Sequence, residues 1–166
     1  GAVEVRSGGV ANLDTGTINF EDATDVRSNG TVNFGSGSVN FANDIEVRSS
    51  GFFNVEDATV TVTGNAEFRS NGNLSIDNGT INITGNASLS SGGDFDLNDG
   101  NLNIGGDASF TSGGTLNADN STITLEGDFT VQNQSNFNSD SSTVVFAGDS
   151  TQTVTSNSDI TFFNVQ

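Results

Sequence analysis

The chain of 166 residues contains no cysteine, histidine or proline, and arginine supplies all four of its basic residues. Without cysteine or histidine, it offers no disulfide framework, no thiolate or imidazole metal ligand, and no nucleophile–histidine pair. The 21 acidic residues give a formal net charge of -17. Binding to nucleic acid or to an anionic membrane surface requires clustered basic residues, so we expect neither partner. No apolar run approaches the roughly 18 residues of a membrane span, so we expect no membrane insertion.

A repeat of 21 residues organises the chain. The low apolar content, 32%, together with the high net charge would otherwise suggest disorder. The four arginines, however, are spaced 21 residues apart, and an acidic residue lies two positions before each of them. Rows of 21 residues align without a gap from Val3 to Asp149. The arginines are Arg6, Arg27, Arg48 and Arg69.

Each row divides into three stretches of alternating residues that end in glycine, asparagine, aspartate or serine, a pattern that predicts short strands joined by turns. Six columns per row hold Ala, Val, Ile, Leu or Phe in every row, except at Thr24 and Ser139. The intervening columns are polar, except at Val145. A strand slipped by one residue would exchange the two faces, so the columns fix the inward face. The inward columns begin at Val3, Val5, Ala11, Leu13, Ile18 and Phe20.

These features predict an all-β fold, a parallel β-helix (β-solenoid) of triangular section with three short strands in each 21-residue coil. Stacked coils share a continuous core that no single coil could bury. We expect seven regular coils over residues 1–149, an irregular terminal coil of the same domain over residues 150–166, and right-handed coiling. One corner column is glycine, and we expect a positive φ there. Its members are Gly9, Gly30, Gly51, Gly72, Gly93 and Gly114.

The last coil predicts an assembly edge. The register shifts by about two residues after Ser150, and residues 159–165 read as one more strand, with the third strand of the coil missing. An uncovered strand edge is a template for pairing with another chain. We therefore predict head-to-tail assembly with copies of the same chain, with Ile160, Phe162 and Phe163 near the junction.

Calcium is the only cofactor that the sequence suggests. Asp107, Asp128 and Asp149 share one column at the third corner, and stacked carboxylates offer the hard oxygen ligands that Ca²⁺ prefers. Neither an EF-hand loop nor a nonapeptide calcium repeat is present. A solvated acidic face explains the same column without a bound ion.

The third strand of each row offers a flat polar face. Regular Thr-x-Thr ranks on a β-solenoid resemble those of ice-binding proteins, although asparagine interrupts the rank in several rows. The alternative function is therefore binding of ice or of a surface glycan. The residues proposed for this face are Thr59, Thr61, Thr80, Asn82, Thr122 and Thr124.

Catalysis is not expected. Polysaccharide-cleaving β-helices carry their acids in a groove walled by long loops, whereas the seven rows here have equal length. No carboxylate pair is set apart in the way that glycoside hydrolysis requires.

The rows, for example GNLSIDNGTINITGNASLSSGG, resemble the repeats of large secreted bacterial β-helix surface proteins, including filamentous-haemagglutinin-like adhesins. The stretch from Thr143 through Gln152 to Val165 resembles a recurring unit of such proteins. The resemblance implies an extracellular or cell-surface location and a structural or adhesive role, as a module or subunit of a surface or matrix filament.

Overall fold

The computed structural model describes residues 2–166, which form a β-solenoid of eight coils. Strands of two to four residues alternate with turns, and this part of the chain contains no helix. It follows that no helix within residues 2–166 is long and apolar enough to cross a membrane. Parallel pairing between successive coils builds three sheets. The all-β, three-stranded triangular coil predicted from the sequence is confirmed.

The strands are numbered in chain order. The first sheet contains β1 (Val3–Val5), β4 (Thr24–Arg27), β7 (Ile45–Arg48), β10 (Ala66–Arg69), β13 (Ala87–Ser90), β16 (Ala108–Thr111), β19 (Phe129–Gln132) and β22 (Val154–Ser156). The second contains β2 (Val10–Leu13), β5 (Thr31–Phe34), β8 (Phe52–Val55), β11 (Asn73–Ile76), β14 (Asp94–Asp96), β17 (Thr115–Asn117) and β20 (Asn136–Asn138). The third contains β3 (Thr17–Phe20), β6 (Ser38–Phe41), β9 (Thr59–Val62), β12 (Thr80–Ile83), β15 (Asn101–Ile104), β18 (Thr122–Leu125), β21 (Thr143–Phe146) and β23 (Asn164–Val165).

The core lies on the axis of the solenoid. The inward columns of coils two to six are buried throughout, as the alternation predicted. Phenylalanine rings form a continuous line of contacts from Phe20 to Phe162, with neighbouring centroids between 4.6 and 6.3 Å apart. Thr24 interrupts the apolar columns: it is 4% exposed, and its hydroxyl has no hydrogen-bond partner. The core is therefore one cluster shared by all coils.

The glycines of the corner column that begins at Gly9 do not have the positive φ that we expected. None of the six has a positive φ; the left-handed residues are those just before them, such as Ser49 and Ser50, at 50° and 61°. Instead, a Cβ on Gly51 would lie only 2.5 Å from the carbonyl oxygen of Val26 in the preceding coil. Glycine is needed here because the backbones of adjacent coils approach closely at this corner.

The last coil leaves the 21-residue register and then returns to it. Val154 in β22 pairs with Phe129, an offset of 25 residues, whereas Asn164 in β23 pairs with Thr143, an offset of 21. The coil therefore gains four residues before β22 and loses four before β23. The predicted shift of about two residues was wrong for β22.

The strand missing from the last coil belongs to the second sheet, which ends at β20, and not to the third sheet as predicted. Of residues 159–165, only Asn164 and Val165 form a strand. The preceding segment, residues 157–163, takes a shorter route from the first sheet to the third. That route places the ring of Phe162 over the core, which an alternating strand pattern alone does not reveal.

Candidate functional site

The third corner carries a ladder of side-chain hydrogen bonds. In five successive coils, the Oδ1 atom of an aspartate or asparagine accepts a hydrogen bond from the backbone N–H at the equivalent position of the next coil. Asp107 Oδ1 accepts from Asp128 N at 2.8 Å, and Asp128 Oδ1 accepts from Thr153 N at 2.8 Å. Earlier steps of the same ladder join Asp44, Asn65, Asn86 and Asp107, with distances between 2.6 and 2.9 Å. The column is thus part of the coil-to-coil bonding.

This ladder bears on the predicted calcium ligands. Asp107 and Asp128 are neighbours, as expected, but Asp149 is not the next member of the column, because Thr153 occupies that position after the four-residue insertion. The expectation that Asp149 would stack on Asp128 was wrong. Across residues 2–166, no group of three or more acidic, histidine or cysteine residues is arranged to hold a metal ion.

Glycines accompany the ladder for a steric reason. Gly85 and Gly127 each lie one residue before a ladder position. A Cβ on Gly85 would lie 2.6 Å from Asn65 Oδ1, and one on Gly127 would lie 2.5 Å from Asp107 Oδ1. The pairing of glycine with a following aspartate or asparagine is therefore a packing requirement of this corner.

A charged stripe covers the outer face of the first sheet in coils one to four. Each of Arg27, Arg48 and Arg69 contacts the acidic residue of its own strand and that of the preceding coil. Arg48 Nη2 lies 2.8 Å from Asp25 Oδ2, and Arg48 Nε lies 3.1 Å from Glu46 Oε2. The hydrogen bond to Asp25 raises the pKa of Arg48. An open groove of about 650 Å³ beside the stripe is lined by the same acidic residues.

The six residues of the predicted binding face lie on the third sheet and point outward. Thr59 is exposed, and Thr61, Thr80, Asn82, Thr122 and Thr124 are half-buried by their neighbours along the sheet. Asn103 Nδ2 donates to Asn82 Oδ1 at 2.8 Å, so asparagine ladders hold part of the surface. A shallow groove of about 260 Å³ lies along one edge of this face, and its lining includes Asn103, Thr124 and, beyond the end of β18, Glu126. In β3, β6, β9, β12, β15, β18 and β21, no outward residue is charged.

The three residues of the predicted assembly edge have different environments. Ile160 and Phe162 pack against the core, whereas Phe163 is 61% exposed. The Phe162 ring contacts one phenylalanine from each sheet, and the centroid distances lie between 5.5 and 6.2 Å. These partners are Phe129 of the first sheet, Phe137 of the second and Phe146 of the third. Phe162 thus closes the end of the core, and only Phe163 is placed as an edge residue.

Sequence reasoning missed Gln152. Its side chain accepts a hydrogen bond from Gly148 N at 2.9 Å and donates to the carbonyl oxygens of Leu125 and Gly127 at 3.0 and 2.7 Å. Gly148 N and the Gly127 carbonyl lie where the insertion interrupts the regular coil-to-coil bonding, whereas the Leu125 carbonyl also accepts from Ala147 N at 2.8 Å. The break in register after Ser150 was the available signal, because a polar side chain at such a break can replace the lost backbone partners.

The haemagglutinin repeat matches the chain twice, over residues 1–76 and 61–161. The chain belongs to the haemagglutinin repeat family. Comparison with curated proteins and with solved structures finds no match. The haemagglutinin repeat is a structural repeat of secreted surface adhesins and not an enzyme family. Family and fold together indicate an adhesin-like extracellular structural module.

Proposed function

We propose that this haemagglutinin repeat chain is a stiff structural segment of a cell-surface or matrix filament located outside the cell. The observation that carries the proposal is the uninterrupted line of core phenylalanines through regular coils. Each coil adds about 4.8 Å to the length, so eight coils give a rod of roughly 40 Å. The number of repeats would set the reach of the filament.

The direction of the hydrogen bonds supports this mechanical role. Strands run across the solenoid, and the backbone bonds between coils, such as Ala66 N to Asn86 O at 2.9 Å, run along its axis. Pulling on the two ends loads many of these bonds together, so no single bond carries the tension. Each coil also buries apolar side chains in the dry core, which adds a hydrophobic contribution to the stability of the rod. Such a segment resists both bending and stretching.

We propose no catalytic role. The regular coils have equal lengths and leave no long loop to wall a cleft, and many carboxylates accept hydrogen bonds in ladders or contact arginine, as Asp128 and Asp25 do. These features support a scaffold and give no support to an active site.

The filament proposal is tested on cells that produce the chain. Immunogold labelling of intact cells, combined with external protease treatment, should find the chain outside the cell and on extended structures. Small-angle scattering of the purified chain, at a dilution where it is monomeric, should give a rod with a length near that calculated from eight coils. Labelling only inside intact cells, or a compact spherical particle in solution, would contradict the proposal.

Head-to-tail stacking is our proposed mode of assembly. Filament growth needs a contact between two different surfaces that does not close into a ring, and the two ends of a solenoid are such surfaces. Negatively stained images of concentrated protein should show filaments one solenoid wide. The net charge of -17 should oppose lateral clumping, so added salt should promote bundling.

A second candidate function is binding of a neutral ligand, a glycan or ice, by the third-sheet face. The absence of charge from every outward position of β3 to β21 in that sheet favours it, since the chain is otherwise strongly acidic. Thr61→Lys with Thr124→Lys should abolish glycan binding or ice shaping. The control, Ser88→Lys with Ser109→Lys, adds the same charge to the first sheet and should leave binding intact. A wild-type chain that neither binds glycans nor shapes ice would exclude this function.

A further inference from the structure

The groove on the third sheet lies where one coil lacks a side chain that its neighbours have. The residue just after each third-sheet strand belongs to one column, and Gly105 holds this position after β15. One coil away on either side, the same column holds Thr84 and Glu126, and all three residues line the groove of about 260 Å³. The groove therefore lies in coils four to six, among the regular coils.

The backbone continues through this position without a break. Gly105 N donates to the carbonyl oxygen of Ile83 at 2.8 Å, which is the regular bond between coils. In the next coil, Glu126 N donates to the carbonyl oxygen of Ile104 at 3.0 Å. The groove therefore results from the missing side chain at position 105 and not from a distorted strand. Thr84 and Glu126 stand at its two ends, on backbones about 10 Å apart.

Hydrogen-bonding groups line the side of the groove that adjoins the sheet. Asn82, Asn103 and Thr124 share one outward column, and Asn103 Nδ2 donates to Asn82 Oδ1 at 2.8 Å. That bond uses one N–H group of Asn103 and one lone pair of the Asn82 oxygen, so both amides keep further hydrogen-bonding capacity. The Thr124 hydroxyl can donate or accept, whereas the Glu126 carboxylate only accepts. The groove thus combines donors and acceptors with one negative charge.

These groups suit a sugar ring. Each sugar hydroxyl both donates and accepts, so adjacent hydroxyls can donate to the Glu126 carboxylate, a charged and therefore strong acceptor, while others bond to the amides. The groove has the volume of roughly eight or nine water molecules, which suits one ring better than a larger ligand. No basic residue is among the described residues that line it, and the net charge of -17 repels anions. The ligand is therefore a neutral sugar.

We propose that this groove binds one sugar residue of a neutral glycan, with Glu126 accepting from two adjacent hydroxyl groups and the amides of Asn82 and Asn103 binding a third. The proposal rests on the second candidate function, glycan binding by the third-sheet face, and specifies its site. A single ring in a shallow groove buries little surface, so a monosaccharide should bind with a dissociation constant in the millimolar range. A filament that presents many copies of the groove would bind a glycan surface more tightly.

The site is tested by titrating the purified chain with the methyl glycosides of glucose, galactose, mannose and N-acetylglucosamine, followed by NMR. At least one of them should shift the side-chain amide signals of Asn82 and Asn103 and the backbone signal of Gly105. The methyl glycoside of glucuronic acid, which carries a negative charge, should not. Shifts confined to other parts of the third-sheet face would overturn this site and leave the second candidate function standing. No shift with any glycoside would contradict both.

Matched variants test the two kinds of contact in the same titration. Glu126→Gln removes the charge and keeps the shape, so it should weaken binding by at least about fivefold. Glu21→Gln makes the same change in the same column five coils earlier and should have no effect. Asn103→Ala should also weaken binding, whereas Asn40→Ala, which removes an amide that donates to Asn19 Oδ1 outside the groove, should not. Equal effects within either pair, or binding of cationic glucosamine alone, would overturn the proposal.

Discussion

Phe52 and Phe53 provide a sharp test of the fold, because they are adjacent residues of the same type in one strand. Phe53 is fully buried and contacts Phe34, Phe41 and Phe68 at centroid distances of 4.8, 5.9 and 6.3 Å. Phe52 points outward from the second sheet and is 42% exposed. Hydrophobicity alone does not distinguish the two residues, whereas their columns do.

Phe53→Ala should lower the free energy of unfolding by about 3–5 kcal/mol, because it removes a buried ring and leaves a cavity in a core that cannot fully collapse. For a chain of this length, each 1 kcal/mol corresponds to roughly 2–4 °C in Tm, so we expect a fall of at least about 6 °C. Phe52→Ala should cost less than about 1 kcal/mol, since its ring has little core to lose. Thermal and urea denaturation followed by circular dichroism measure both variants.

Phe52→Ala is therefore the control for Phe53→Ala, because the two residues are adjacent in one strand. Similar losses for Phe52→Ala and Phe53→Ala would show that the inward columns are assigned wrongly. A larger loss for Phe52→Ala would mean that the strand pairs one residue out of register, so that Phe52 faces the core and Phe53 faces the solvent.

Three further predictions concern single contacts. Gln152→Ala should cost about 2 kcal/mol, because it leaves Gly148 N and the Gly127 carbonyl without partners, whereas the Leu125 carbonyl keeps its bond from Ala147 N; unchanged hydrogen exchange at Gly148 would refute this. Thr24→Val should raise Tm by roughly 2–4 °C by removing a buried hydroxyl that lacks a partner, and a lower Tm would contradict that reading. Phe162→Ala should loosen the last coil and increase binding of a hydrophobic dye, whereas Phe163→Ala should not. Equal dye binding by the two variants would show that Phe162 does not close the end of the core.

The proposed calcium ligands show why column patterns do not by themselves identify a site. Asp107 and Asp128 do stack, but an asparagine fills the same role at positions 65 and 86, since both side chains offer an Oδ1 acceptor to the next backbone N–H. The mixture of aspartate and asparagine in one column fits a hydrogen-bond ladder.

The sequence by itself determined the coil, the three strands per coil and the inward face. These follow from local alternation and a 21-residue repeat, and each row reports the same pattern independently. In-register parallel pairing then places equivalent residues on top of one another, so the composition of a column predicts its burial. The stacking of Phe53 between Val32 and Leu74 follows directly from the 21-residue spacing of these three residues.

Only the tertiary structure decided the features that depend on contacts between coils or on a break in the repeat. Gly51 is required by the backbone of the preceding coil, although the sequence suggested a left-handed φ. Thr153 displaces Asp149 from the ladder, and Phe162 closes the core in place of a strand. The repeat cannot predict these positions, because an insertion can be absorbed at several places along a coil. Which place is used depends on how side chains such as Gln152 and Phe162 satisfy the backbone and fill the core.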